Sequence, residues 1–298
     1  MVVKQKMVFN SHFEDYLNYL RQKGYTEKTI GEHKRFLGGS LAHCDITEKK
    51  IKDIKLTDVG DVMEAGKQHG EFGPQRSVVT FRRYLKFLQE SGIKLPFDWR
   101  DIETPRVPFK QQTFLSETEL KRLLDSIPIR KFEDLRTKTL LEVLFSTGMR
   151  IGEALNLKWD DISWHKKEAL IKTKKTGDEE YIYFSDRSLY WLKEWRKKLQ
   201  KKKKENEFVF VSNEGNPLSQ NAAKQYLRLH QEEWDTKKHI TFHTLRRTFG
   251  NLLMEKRPDL KAIQTLLRHK SPRTTLQWYV HCDSKRAKDF HRKYLPGI

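Results

Sequence analysis

Cysteine is scarce in this chain, and long apolar runs are missing from its 298 residues. The two cysteines, Cys44 and Cys282, lie far apart with no CxxC spacing, which argues against a disulfide framework and a structural zinc site and suits a reducing compartment. No apolar stretch reaches membrane length, and the N-terminal residues lack the apolar core of a signal peptide. We therefore expect a cytoplasmic protein with no membrane partner.

Acidic residues are outnumbered by basic ones. The chain has 59 Lys+Arg against 40 Asp+Glu, a formal net charge of +19, and a sequence pI near 9.7. A balance of this kind is typical of proteins that bind nucleic acid, although a soluble protein with a generally basic surface is the alternative. The length favours two domains, each able to bury its own core.

The first 95 residues predict a helical bundle. Gly24 and Gly92 stand where helices are expected to end, Thr26 can cap the second helix, and Thr57 or Asp58 can cap the third. Apolar residues follow helical spacing in the first and fourth helices. They are Phe9, Phe13, Tyr16, Leu17 and Leu20 in the first, and Val79, Phe81, Tyr84, Leu85 and Leu88 in the fourth.

A proline-rich connection separates this domain from the rest of the chain. Pro96, Pro105 and Pro108 fall close together, and prolines at this density interrupt helices and stiffen extended segments. We place a linker at residues 96–113. Ser116 and Glu119 then form a capping-box pattern that predicts the first helix of a second domain, residues 114–298.

Arg150 follows a turn that joins two predicted helices. The first helix is strongly apolar and ends at Ser146-Thr147-Gly148, and the second begins near Arg150. A helix N-terminus has unpaired N–H groups that favour anions. Arg150 is therefore a candidate anion ligand.

A β-hairpin is predicted next, with strands at 169–173 and 181–184 around a Thr-Gly-Asp turn. Lys174 and Lys175 stand at its tip. Lysines at a hairpin tip are ordinarily only solubilising, so a catalytic role needs support from elsewhere in the chain.

The most informative residues come late in the chain. His243 and Arg246 are spaced i and i+3, so on a helix they share a face that Arg247 does not. His269 lies where a helix is expected to give way to a turn, and Tyr279 follows in a short aromatic segment. Taken singly, each of these residues could have a purely structural role, as a helix cap or in core packing. Their joint occurrence in a basic chain favours phosphate chemistry.

These residue types fit the transfer of a phosphoryl group. A tyrosine phenol, with an ordinary pKa near ~10, can attack phosphorus once it loses its proton. Arginine can hold two non-bridging phosphate oxygens, where charge accumulates in the transition state. A lysine can protonate the departing oxygen. This chemistry requires no metal and no cofactor, and no clustered carboxylate set favours two-metal hydrolysis.

The order of these motifs resembles the tyrosine recombinase (phage integrase) family. The size and two-domain layout are similar to those of Xer-type and simple transposon or phage recombinases. The resemblance covers residues 147–281 and is carried by the segments TGMRIGEALNLKWDDI, KTG, HTLRRTF, LLRHKSPRTT and YVH.

The resemblance implies a role for each matching residue in a reaction that proceeds through a 3′-phosphotyrosyl intermediate. Tyr279 would be the nucleophile, and Lys175, directly before Thr-Gly, the general acid. The other matching residues would bind the scissile phosphate and serve as base: Arg150 and Arg246 as phosphate ligands, His269 as their support and His243 as the base.

The fold and the partners follow from the same resemblance. It implies a mainly α protein, with a helical core-binding (SAM-like) domain at 1–95 and a mixed, mostly helical catalytic domain at 114–298 that contains a small antiparallel β-sheet. The implied partners are double-stranded DNA with a specific recombination site and further copies of the chain. These copies would form a dimer on each site and a tetrameric synapse with exchange of the C-terminal helix.

Three features of this chain depart from the family pattern. The family usually has Leu-Gly-His where this sequence has Leu267-Arg268-His269, and the stretch from His269 to Tyr279 is longer by about one residue. Lys174 and Lys175 are adjacent, so the choice of Lys175 depends on its place directly before Thr-Gly. Two other functions remain open at this stage: a type IB topoisomerase-like enzyme, and a catalytically idle DNA-binding regulator. For any of the three, the expected location is cytoplasmic and nucleoid-associated.

Overall fold

A computed structural model of the chain describes residues 9–47, 49–105, 113–172, 179–256, 259–269 and 271. The chain divides into two compact units, Met1–Lys110 and Gln111–Ile298. Most described residues are helical, and one small antiparallel sheet lies in the second unit. The mainly α fold class is confirmed.

Among its described residues, the first unit contains five α-helices: α1 (Phe13–Gln22), α2 (Glu27–His33), the short α3 (Gly39–Leu41), α4 (Asp58–Gly66) and α5 (Gly73–Glu90). A π-helical turn, Lys34–Gly38, joins α2 to α3. Short 3₁₀ segments occupy Phe9–His12, Asp45–Thr47, Ile51–Asp53, Lys67–His69 and Trp99–Asp101.

Several predicted helix ends of this unit are confirmed. Gly24 and Gly92 have φ of 75° and 82°, the left-handed backbone that glycine adopts freely after a helix. The Thr26 hydroxyl accepts a hydrogen bond from the main-chain N–H of Thr29 at 3.3 Å, as expected of an N-cap.

The capping prediction for α4 is wrong. Thr57 takes the cap position but its side chain makes no capping bond. The Asp58 carboxylate instead accepts from the main-chain N–H of Lys55 at 3.0 Å and from the ammonium of Lys49 at 2.9 Å. The Asp58 carboxylate is thus bonded to residues that precede the helix and does not cap the N–H groups of its first turn.

Aromatic and aliphatic side chains from α1 and α5 dominate the core of the first unit. On α5 the spacing predicted Val79 in the stripe, but Val79 is only partly buried and Val78 is completely buried. The fully or almost fully buried residues include Tyr16, Leu17, Leu37, Val62, Phe81, Tyr84, Leu85 and Leu88.

The second unit contains seven α-helices among its described residues: α6 (Glu117–Ser126), α7 (Phe132–Thr147), α8 (Ile151–Ala154), α9 (Asp186–Lys202), α10 (Gln220–His230), α11 (Phe242–Lys256) and α12 (Leu260–Leu266). Short 3₁₀ segments lie at Trp159–Asp161 and Gln231–Glu233. The predicted capping box is confirmed, since Ser116 Oγ accepts from Glu119 N–H at 3.2 Å and Ser116 N–H donates to Glu119 Oε2 at 2.8 Å.

The α7 helix is buried on nearly every side, as its apolar sequence predicted. It packs against α9 and α11. It ends at Gly148, whose φ of 60° turns the chain sharply. This central helix therefore sets where the turn before Arg150 begins.

The sheet has the order β1-β2-β3, with β1 at Ile162–Ser163, β2 at Glu168–Lys172 and β3 at Glu179–Tyr183. The β2–β3 hairpin is confirmed, with Ala169 paired to Ile182 and Lys172 paired to Glu179. The sequence reasoning missed β1, because two residues are too short a run for a periodicity signal.

Candidate active site

Arg150 lies at the N-terminus of α8, where the sequence predicted it. Its main-chain N–H donates to Glu153 Oε2 at 2.7 Å, and its guanidinium donates to Glu153 Oε1 at 2.8 Å. The Arg150 side chain is 43% exposed. Glu153 thus fixes both ends of Arg150 and leaves part of the guanidinium accessible to a ligand.

Arg246 lies in the second turn of α11 and is only 2% exposed. Its guanidinium donates to two main-chain carbonyls, those of Gly148 and Leu267. Gly148 precedes Arg150 by two residues, and Leu267 precedes His269 by two. Arg246 therefore joins the three segments that carry the predicted phosphate ligands.

The Phe249 ring reinforces this junction from the same helix. A Cβ atom added to Gly148 would lie 2.5 Å from that ring, and real Cβ atoms essentially never approach a neighbour so closely. Glycine is needed here both for the positive φ and for the space. The turn before Arg150 is thus held by α11.

His269 is buried just after the turn that follows α12. Its main-chain N–H donates to the Gln264 carbonyl at 3.1 Å, and its carbonyl accepts from the Gln264 side-chain amide at 2.9 Å. Burial and the nearby charges of Arg246 and Arg150 lower the pKa of His269 to about 4. The imidazole is therefore neutral at pH 7 and can donate one hydrogen bond to a phosphate oxygen.

His243 lies one turn before Arg246 on α11, and it is exposed. The pKa of His243 is lowered, chiefly because its ring is partly shielded from solvent. The charges of Arg247 and Arg246 lower this pKa further. A neutral imidazole at pH 7 can accept a proton. Within the described residues, the structure thus brings together four of the six predicted site residues: Arg150, His243, Arg246 and His269.

The electrostatics of this cluster favour an anion. Burial and then the charges of Arg150 and Arg268 lower the pKa of Arg246 to about 9. The guanidinium stays protonated at pH 7, but it lies in a strongly positive environment that a bound phosphate would relieve.

Three residues near the site were not predicted to act there: Arg268, Glu153 and Glu180. The Arg268 guanidinium donates to Glu153 Oε2 at 2.9 Å, and its Nε lies 3.6 Å from Glu180 Oε2 on β3. Burial alone would raise the pKa of Glu153, but the charge of Arg268 and the hydrogen bonds from Arg150 outweigh it and lower that pKa. The departure from Leu-Gly-His was visible in the sequence, whereas its partners required the fold.

Lys175 and Tyr279 lie outside the described residues, so their roles stay predictions. In the part of the chain that the structure describes, no group of three or more His, Cys, Asp or Glu side chains could hold a metal ion. No helix in that same part is long and apolar enough to cross a membrane.

Residues 113–286 match the phage integrase family. A tyrosine recombinase XerD from Listeria monocytogenes is 30% identical over 299 residues, covering 96% of this chain and 99% of that protein. A XerD from Staphylococcus saprophyticus is 27% identical over 294 residues, covering 95% and 98%. This chain therefore belongs to the phage integrase family, the tyrosine recombinases.

Solved structures share its fold. A lambda integrase dimer bound to a COC′ core site aligns with a TM-score of 0.76 at 18% identity, covering 91% of this chain and 95% of that one. The XerH site-specific recombinase bound to a palindromic difH substrate aligns with a TM-score of 0.72 at 20% identity, covering 90% and 80%.

Proposed function

We propose that this chain is a site-specific DNA recombinase that cleaves and rejoins duplex DNA through a 3′-phosphotyrosyl intermediate. One observation carries the proposal: Arg150, Arg246 and His269 converge through direct contacts of Arg246 with Gly148 and Leu267. The similarity to XerD proteins along almost the whole chain supports it.

In the proposed reaction, Tyr279 Oη attacks the scissile phosphorus and its proton passes to His243. The bond from phosphorus to the 5′-oxygen breaks, and Lys175 supplies the proton to that oxygen. Arg150 and Arg246 hold the non-bridging oxygens, and neutral His269 donates to one of them. The phosphotyrosyl bond keeps the energy of the broken phosphodiester, so rejoining requires no cofactor.

The assembly follows from the same proposal. Residues 1–95 and residues 114–298 would both contact the duplex, with a dimer on each site and a tetramer in the synapse. The C-terminal helix after Tyr279 would be exchanged between copies. A tetrameric integrase bound to a Holliday junction has the same fold.

We place the protein in the cytoplasm, associated with the nucleoid, and assign it to integration and excision of a mobile element or to Xer-type resolution.

Covalent trapping tests the proposal. The full chain is mixed with fragmented host DNA in EDTA, the reaction is stopped with SDS, and the attached DNA is sequenced. The wild type is expected to retain one recurrent sequence, whose context separates a mobile element from a resolution site. The Tyr279→Phe variant is expected to retain none.

Other outcomes would contradict the proposal in different ways. Tight DNA binding with no adduct would favour a DNA-binding regulator. Adducts at many unrelated sequences, together with relaxation of supercoiled plasmid by a monomer, would favour a topoisomerase. An adduct that persists in Tyr279→Phe would mean that another residue is the nucleophile.

A further inference from the structure

Arg268 adopts an unusual backbone conformation next to the candidate site. Its φ is 52°, in the left-handed region that glycine adopts freely and other residues adopt rarely. The family pattern Leu-Gly-His has glycine at this place. This chain therefore has a side chain at a position whose backbone suits glycine.

That side chain is buried and in contact with charged groups. Only 3% of it is exposed. The guanidinium donates to Glu153 at 2.9 Å and lies 3.6 Å from Glu180, and the main-chain carbonyl of Arg268 accepts from Arg150 Nη2 at 3.3 Å. Arg268 thus touches Arg150 directly through its backbone and indirectly through Glu153.

The contacts of Arg268 change the balance of charge around Arg150. Glu153 holds Arg150, but a carboxylate beside a phosphate-binding arginine also cancels its charge and repels the phosphate. Glu180 adds a second carboxylate nearby. With Arg268 present, three guanidiniums face two carboxylates, whereas glycine at 268 would leave Arg150 and Arg246 to face the same two acids.

We propose that Arg268 is a positioning residue for the phosphate site: it neutralises Glu153 and Glu180, so that Glu153 fixes the Arg150 guanidinium while the site keeps a net positive charge. The inference rests on the proposed function for its catalytic consequence.

The first test uses inorganic phosphate as the probe and no DNA. Titration calorimetry compares wild type with Arg268→Gly, Arg150→Ala and Lys201→Gln, the last an exposed lysine of α9. We expect Arg268→Gly and Arg150→Ala to weaken phosphate binding at least about fivefold, and Lys201→Gln to leave it unchanged. Phosphate binding by Arg268→Gly equal to that of wild type would overturn the inference, whether or not the chain cleaves DNA.

The second test measures single-turnover adduct formation on the duplex recovered by trapping. Arg268→Gly is expected to slow cleavage about 10–100-fold with little change in duplex affinity, since a misplaced ligand costs rate first. Arg268→Lys keeps the charge and is expected to recover most of the loss. Glu180→Gln in the glycine variant is expected to recover part of it, because it removes one uncompensated carboxylate.

A duplex with a methylphosphonate in place of the scissile phosphate distinguishes a positioning role of Arg268 from a merely structural one. The methylphosphonate lacks the negative charge that Arg150 would bind. If Arg268 acts by positioning Arg150, the cleavage defect of Arg268→Gly is expected to be smaller on this substrate than on ordinary DNA. The defect of Arg150→Ala is expected to be smaller in the same way. Equal losses on both substrates, or Arg268→Lys as slow as Arg268→Gly, would contradict the inference while the proposed function stands. Glycine suits the positive φ, and circular dichroism checks that the variant is folded.

Discussion

Glu153 accepts two hydrogen bonds from Arg150, one from the main chain at 2.7 Å and one from the guanidinium at 2.8 Å. The first bond satisfies an N–H at the start of α8, and the second fixes the direction of the cation. One carboxylate therefore joins the local geometry of a helix start to the orientation of a ligand. An arginine held in this way loses little freedom when it binds phosphate.

The turn that presents Arg150 depends on Gly148, and this gives a prediction about stability. Gly148→Ala introduces a Cβ against Phe249 at a φ of 60°, and we expect it to lower the free energy of unfolding by about 2–5 kcal/mol. Urea unfolding at constant pH measures the loss.

Gly152, two residues after Arg150, is the matched control. A Cβ there would meet no atom within 4 Å, so Gly152→Ala is expected to leave stability unchanged or raise it by up to about 1 kcal/mol. Equal losses for the two alanine variants would show that the space and the backbone at Gly148 do not matter.

Local sequence signals predicted the elements that carry the site but not the contacts between them. The helix start at Arg150 was predicted from the glycine-containing turn before it, and the turn at His269 from the Lys-Ser-Pro after it. The shared face of His243 and Arg246 was predicted from their i,i+3 spacing, and the structure places all of these features as predicted. Each of them depends on residues a few positions apart, which is the range that turn residues and helical periodicity report.

The contacts across the fold could not be predicted in the same way. The carbonyl of Gly148, which accepts from Arg246, lies 98 residues away in sequence, and Glu153 lies 115 residues from Arg268. Main-chain carbonyls carry no signature in the side-chain sequence. The presence of Arg268 instead of glycine was visible, but its meaning depended on Glu153 and Glu180, which only the folded chain brings near.

Arg246 and Arg247 are adjacent, and the fold distinguishes them. Arg246 contacts Gly148 and Leu267, whereas Arg247 makes neither contact. The planar guanidinium of arginine has enough fixed donors to bind both carbonyls and a phosphate, whereas the ammonium of a lysine at 246 has not. We expect Arg246→Lys to slow single-turnover cleavage by about 10²–10³, and Arg247→Lys to change it less than about tenfold.

We expect similar duplex affinity for both lysine variants in the same buffer, because the chain has 59 Lys+Arg and most of its cations are unchanged in either variant. A larger cleavage defect for Arg247→Lys than for Arg246→Lys would contradict the assignment of Arg246 as the phosphate ligand.

His33 gives the first unit a predictable dependence on pH. His33 is only 3% exposed. Its Nε2 accepts a hydrogen bond from Arg83 Nη1 at 3.3 Å. In the neutral ring the proton therefore lies on Nδ1, which donates to Tyr16 Oη at 2.8 Å. Burial, followed by the charge of Arg83, lowers the pKa of His33 to about 4. The unfolded chain, with an ordinary histidine pKa near ~6.5, takes up the proton first.

The stabilisation by neutral His33 is therefore complete above about pH 6.5 and is lost as the pH falls from about 6.5 towards 4. We expect the unfolding free energy of this unit to fall by on the order of 2 kcal/mol across that window. Hydrogen exchange in α1 and α5 under mild urea measures it, with correction for the intrinsic rate.

His33→Gln is expected to remove most of this slope, whereas His43→Gln, at an exposed histidine, is expected to keep it. A slope that is unchanged in His33→Gln would assign the pH dependence to other groups.

The choice between Lys174 and Lys175 as general acid can be made by the chemistry of the leaving group. Replacing the 5′-bridging oxygen by sulfur creates a thiolate leaving group, which departs without needing a proton because a thiol is far more acidic than an alcohol. If Lys175 protonates the 5′-oxygen, the Lys175→Ala variant is expected to cleave ordinary DNA about 10²–10⁴ times more slowly than wild type. The same variant is expected to cleave the sulfur substrate nearly as fast as wild type.

Lys174→Ala is the matched control and is expected to resemble wild type on both substrates. Single-turnover adduct formation measures the rates of wild type and of both variants on the two substrates. Rescue of Lys174→Ala instead would assign the acid to that residue, and a Lys175→Ala defect that sulfur does not rescue would mean that Lys175 binds DNA without supplying the proton.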